Sequence, residues 1–211
     1  MEQQNTAKEK ILKKVRKALL EPTENPYNNA DFESELFENK EELDICFAQM
    51  FSENKGYFIY CQDPKDFTLQ LHNLIQQEGW DKIKIMDDDL QNLFEKTGFD
   101  NYELVTESNS SLANLSLCEG LIARTGSIII SSKQKESNAF HYQTQNLLFV
   151  ASIKHITSNI ELAIEQIKEK YNGMPENLSI ISGVDQLKNH FKGEGPGLFG
   201  PKAIYLFLID K

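Results

Sequence analysis

Three glycine-bearing stretches and four histidines carry most of the side chains in this sequence that are suited to chemistry. The first stretch, Glu119-Gly120-Leu121-Ile122-Ala123-Arg124-Thr125-Gly126-Ser127, leads into Ile128-Ile129-Ile130. Its Thr-Gly-Ser turn offers two hydroxyls and closely approachable backbone N–H groups, which suit a phosphate or carboxylate oxygen. A plain strand-entry turn uses the same residues. The second stretch, Ile180-Ile181-Ser182-Gly183-Val184, is a strand running into a glycine, a position where an anion is physically sensible and where Ser-Gly also serves as punctuation. The third, Gly193-Glu194-Gly195-Pro196-Gly197-Leu198-Phe199-Gly200-Pro201, holds four of the chain's 11 glycines. It is not G-x-x-x-x-G-K-[ST], and it precedes a strand where a dinucleotide fingerprint follows one, so both nucleotide motifs are rejected.

The histidines are His72, His141, His155 and His190; no two stand at i, i+4 beside an acid, and no metal site is expected. His72 falls on a predicted helix. His141, in a polar stretch, and His155, just after a strand, are better placed to touch a ligand. No catalytic base is assigned; by side-chain chemistry alone His141 is the best candidate. No G-x-S-x-G elbow precedes a helix, which argues against a serine hydrolase.

Composition narrows the function classes. A formal charge of −10 opposes nucleic-acid binding, which needs a basic footprint. The charge is uneven: residues 1–17 hold six basic and two acidic residues, net +4, whereas residues 21–45 hold nine acidic residues and one lysine, net −8. Cys46, Cys61 and Cys118 include no C-x-x-C pair and fit neither a disulfide framework nor zinc or iron–sulfur spacing, so they read as reduced, mostly buried thiols. The apolar runs are strand-sized, far short of the ~20 residues of a membrane span. Residues 1–8 lack the features of a signal peptide, and the expected location is the cytoplasm.

With 211 residues, one large domain plus a small appendage is expected. Thr6 to Leu20 reads as a helix with Ile11, Val15, Ala18 and Leu19 on one face and a basic opposite face, followed by an irregular connection over 21–30. These give an arm over 1–38 and a domain over 39–211. In the domain, helices are predicted at Lys40–Ser52, from Asp63-Pro64 to Glu78, at Asp88–Lys96, and from a capping box at Ser158-Asn159-Ile160-Glu161 to a stop at Gly173. Strands are predicted at Gly56–Cys61, Lys82–Met86, Asn101–Thr106, Gly126–Ser131, Asn146–Ala151, Leu178–Ser182 and Ala203–Ile209. Alternation of this kind gives an α/β fold with a largely parallel sheet and flanking helices.

Taken in order, these segments resemble the lactate-utilisation protein C family, the LUD-domain proteins, over most of the chain. The resemblance rests on the basic opening helix Lys8 to Leu19, on Ala123-Arg124-Thr125-Gly126-Ser127-Ile128-Ile129, and on the strand Leu147 to Ile153 ending at His155-Ile156. It rests also on Ser182-Gly183 and on Gly197-Leu198-Phe199-Gly200-Pro201 before the last strand. It implies a fold similar to the sugar-phosphate isomerase and CoA-transferase superfamily. It further implies a role beside iron–sulfur partner proteins in oxidising L-lactate to pyruvate, with the clusters on the partners and no cofactor in this chain. The sequence departs from the family pattern in having Arg124 where an acid is usual and Phe199 where a histidine is common. Its Ser182-Gly183-Val184-Asp185 run also replaces the usual Ser-Gly-Pro-Ser.

The expected ligand set is therefore Arg124, Thr125, Gly126, Ser127, Ser182, Gly183, Glu119, His155, Gly197 and Gly200, around a small carboxylate or other anion, with Arg124 as its clamp. Two other readings stand beside the subunit: a non-enzymatic assembly or regulatory module docked through the basic arm and acidic segment, and a stand-alone isomerase or transferase acting on a phosphorylated or acyl substrate.

Overall fold

A computed structural model describes residues 42–105, 111–134, 144–183 and 201–210. The predicted helix over 6–20, the arm over 1–38, His141, His190, Gly197 and Gly200 lie outside the described residues.

The chain alternates helix and strand as far as β3. In order come α1 (Leu43–Glu53), β1 (Tyr57–Cys61), α2 (Pro64–Glu78), β2 (Ile83–Ile85), α3 (Asp88–Thr97) and β3 (Tyr102–Leu104). Then follow β4 (Ser111–Leu117), β5 (Gly120–Ile122), β6 (Ser127–Ser131), β7 (Thr144–Ser152), β8 (Ile156–Thr157), α4 (Ile160–Tyr171), β9 (Leu178–Ile181) and β10 (Ala203–Ile209). Six strands form one sheet in the order β1-β10-β7-β4-β2-β3, and every pairing in it is parallel. Its central strands are buried on both faces, which is why β10 reads Ala-Ile-Tyr-Leu-Phe-Leu-Ile without polar alternation.

The predicted largely parallel sheet is present, and a second, smaller sheet accompanies it. Strands β6 and β9, expected alongside the parallel strands, belong to a second sheet of order β8-β5-β6-β9, in which β6 runs antiparallel to both β5 and β9. The reason is local: Gly126, at φ 58, reverses the chain between β5 and β6 and makes a hairpin of them. Strands β4, β5 and β8 have no predicted counterpart. The first is interleaved with Ser and Asn, and the other two are three and two residues long, too short for a period-2 pattern to register.

Three apolar layers hold these elements together. Phe67, Leu71 and Ile75 of α2, with Leu90 and Phe94 of α3, cover one face of the parallel sheet against Leu115, Leu148 and Phe207. On the other face Leu147, Phe149, Leu206 and Leu208 meet Phe47 and Phe51 of α1 together with Leu121, Ile128 and Ile130 of the second sheet. The outer face of that second sheet sends Ile122 and Ile129 against Ala163 and Ile167 of α4.

Helix ends follow the sequence closely, with one displacement. The Asp63 carboxylate accepts the backbone N–H groups of Lys65 and Asp66 at 2.8 and 2.9 Å, with Pro64 at the first helical position. Asp63→Ala should therefore cost about 1 kcal/mol in urea unfolding. For α4 the cap is Asn159, not Ser158: its side chain accepts from Leu162 N–H at 3.0 Å. At the other end Asn172, not Gly173, takes the left-handed conformation, at φ 49. Asn, like Gly, tolerates that region, and Gly173 sits one residue later.

Candidate functional site

The Thr-Gly-Ser turn becomes a site through strand register. Ile128 of β6 pairs with Ile181 of β9, so the antiparallel ladder carried one step further places Ser127 beside Ser182. Their hydroxyl oxygens are 2.7 Å apart, and Ser127 Oγ is also 2.7 Å from Thr125 Oγ1. Three hydroxyls from two distant segments thus form one continuous line. Ser127, at its centre, is 1% exposed, while Ser182 is half-buried and Thr125 is exposed. Three hydroxyls bring three protons to these two hydrogen bonds. The third O–H turns outward when the bonds run in one direction along the line, and toward Thr125 C=O, 3.5 Å from Ser127 Oγ, when both outer hydroxyls donate to Ser127.

Helix α1 closes over this turn. The Asn54 amide, just past its C-terminal end, donates to Thr125 C=O at 2.8 Å. A Cβ on Gly126 would overlap the backbone of Met50 and Phe51, and one on Gly183 would overlap Asn54. Both glycines are thus required by the close approach of α1. Arg124 is exposed at the edge of the turn and anchored through its backbone, whose N–H donates to Ser158 C=O at 3.2 Å.

Glu119 and His155 lie elsewhere. Ser127 and Ser131 mark the two ends of β6, about 13 Å apart at the usual strand rise, and the Glu119 carboxylate sits at the Ser131 end. It accepts from Ser131 Oγ at 2.7 Å, Tyr171 OH at 2.6 Å and Lys170 Nζ at 2.7 Å. The Glu119 side chain is fully enclosed while that of Lys170 is 57% exposed, so the lysine bridges a buried carboxylate to solvent.

The LUD domain matches residues 6–209. The chain belongs to the LUD-domain family. That family is associated with lactate utilisation in general. The fold is similar to the crystal structure of a DUF162 family protein from Deinococcus radiodurans, at 14% identity and a TM-score of 0.61, covering 80% of this chain and 96% of that one. No curated protein matches this chain.

In this LUD-domain protein the expected ligand set therefore divides. Thr125, Ser127 and Ser182 meet in one line, with Arg124, Gly126 and Gly183 around it. Glu119 and His155 belong to the second cluster, and Gly197 and Gly200 lie outside the described residues. Asn54, Ser131, Lys170 and Tyr171 were not legible as site residues. The one available signal, an adjacent Lys-Tyr pair closing an amphipathic helix, is too common to single them out.

Electrostatics separate the two clusters further. Burial is the largest influence on Glu119 and pushes its carboxyl up, but the hydrogen bonds from Lys170, Tyr171 and Ser131 together outweigh it and the net shift is downward. Lys170 answers in kind: burial pulls its amine down, the Glu119 contact overrides this, and its pKa is raised. His155 is shifted down, first by desolvation of its ring and then by the Lys170 charge, with Glu119 pulling the other way. Although His155 is solvent-accessible by surface area, enough protein surrounds the ring to favour the neutral imidazole.

All three cysteines are buried thiols. Burial drives Cys61 and Cys118 up to about 12, so neither is a thiolate at neutral pH. Among the described residues no group of three or more His, Cys, Asp or Glu side chains is arranged to hold a metal ion, and no helix is long and apolar enough to cross a membrane.

Proposed function

We propose that this chain is a subunit of an organic-acid utilisation system oxidising L-lactate to pyruvate beside iron–sulfur partner proteins, and that it binds a small carboxylate at the hydroxyl line. The observation that carries this reading is the meeting of Thr125, Ser127 and Ser182. A hydroxyl line able to turn one O–H outward, an exposed arginine one residue before Thr125 and a turn stiffened by α1 suit a carboxylate: Arg124 would supply a bidentate charge contact and the hydroxyl line would fix orientation. Oxidation of lactate releases two electrons and two protons. The electrons are assigned to clusters on the partners, because the thiols of this chain are buried and dispersed.

The test is calorimetric titration of the purified chain with L-lactate and pyruvate. Arg124→Ala should weaken binding about 10- to 100-fold, the worth of a charge-assisted hydrogen bond, with little change in thermal midpoint because the side chain is exposed. Equal affinity in wild type and variant removes Arg124 from the site. The partner half of the proposal is read separately, by capturing a tagged chain from its native lysate and measuring iron and lactate-dependent dye reduction in the eluate. An iron-free eluate without reduction, from a lysate that itself oxidises lactate, overturns the subunit reading.

A further inference from the structure

Strand β1 ends the parallel sheet, and no described strand pairs with its outer side. Its sequence, Tyr57-Phe58-Ile59-Tyr60-Cys61, contains no charge and no proline, the two devices that ordinarily blunt an open edge. Tyr57 and Tyr60 are 56% and 47% exposed. Which backbone groups face outward follows from the hydrogen bonds. Cys61 C=O accepts from Asp210 N–H, so Cys61 and, by alternation, Ile59 and Tyr57 are turned toward β10. Phe58 and Tyr60 therefore present N–H and C=O to the outside. One residue on, the outward Gln62 N–H is taken by the Asp66 carboxylate at 2.9 Å, which closes that end of the edge.

We propose that this edge is where two copies of the chain pair, antiparallel, about a two-fold axis at Ile59. In that register Phe58 stands opposite Tyr60 of the second copy, and each such pair exchanges two backbone hydrogen bonds, four in all. The same pairs bring aromatic side chains together across the strands, a favoured combination. Charge selects the antiparallel arrangement. The carboxyl end of β1 is acidic, with Asp44 and Asp210 acting on Tyr60 and with Asp63 and Asp66 following the strand. The amino end is near neutral, Lys55 being offset by Glu53 two residues earlier. A parallel pair would bring the two acidic ends together, whereas the two-fold sets each acidic end against the near-neutral amino end of the other copy's strand. The two six-stranded sheets then become one continuous sheet of twelve strands, with no β1 edge left to recruit further chains.

Light scattering on the full chain at about 10–100 µM should give twice 24.2 kDa. Tyr60→Lys should give the monomer mass with an unchanged circular-dichroism spectrum. Ile59→Cys provides a second measurement: facing residues at a non-hydrogen-bonded pair have Cα atoms about 4.5 Å apart, within disulfide range. Mild oxidation should cross-link that variant to a covalent dimer. A single-chain mass throughout the concentration range overturns the proposal. So does a dimer that survives Tyr60→Lys while Ile59→Cys forms no cross-link.

Discussion

Gly126→Ala is expected to destabilise the protein by about 3–5 kcal/mol, lowering the thermal midpoint by roughly 10 °C or more. Two physical costs combine. The residue sits at φ 58, where a Cβ is strained by about 1–2 kcal/mol. The added methyl also has nowhere to go, because it meets backbone atoms of Met50 and Phe51. Backbone cannot rotate aside as a long side chain can, so α1 has to lift, loosening Phe47 and Phe51 from the layer they fill. A control separates the two costs: Gly98 lies at φ 73 with nothing within 4 Å of an added Cβ, so Gly98→Ala should show the strain alone, about 1 kcal/mol. Chemical denaturation of both variants checks this, and equal losses would mean that α1 yields freely. Since Asn54 is carried on the end of the same helix and holds Thr125 C=O, the Gly126 variant should also lose ordered hydroxyl geometry at the turn.

Glu119→Ala is the second large effect, expected at about 2–4 kcal/mol. Removing a buried carboxylate leaves its donors without an acceptor, and for a charged pair that cost reaches about 3–5 kcal/mol. Here the exposed end of Lys170 recovers water, so the loss falls mainly on Ser131, which is buried, and on Tyr171. Glu119→Gln keeps the shape and should cost less, about 1–2 kcal/mol, because one amide oxygen still accepts. The pH dependence has a definite sign. The folded carboxyl is held below its unfolded value, so its contribution is fully present above about pH 4.3 and fades as pH falls through the folded value. Urea unfolding of wild type and Glu119→Gln should therefore diverge at neutral pH and converge in acid. A difference that persists unchanged at low pH would show that the network stabilises through packing alone.

Much of this fold was legible because its signals are local. Asp63-Pro64 announces a helix start with both a cap and a fixed φ, and Ala203 to Ile209 is apolar enough for only a buried strand. What escaped depends on contacts between distant segments. Gly126 looked like an anion-cradling glycine, but its need for a missing Cβ comes from α1, more than 70 residues earlier in the chain. Ser127 and Ser182 could be suspected separately; only the pairing of β6 with β9 puts their hydroxyls in contact. Glu119 and Ser127 share one glycine-bearing stretch, yet the hairpin sends them to opposite ends of β6.

The joints between the two sheets set how this molecule can move. Strand β4 passes into β5 across Cys118 and Glu119 alone, and β7 passes into β8 across Ile153 to His155. Two such short stitches, side by side on neighbouring parallel strands, leave no slack for one sheet to hinge or shear against the other. Glu119 and His155 lie in those stitches, one in each. The carboxylate proposed for the hydroxyl line would therefore meet a rigid bench, to be accommodated by turning hydroxyls and side chains rather than by closing one layer over another.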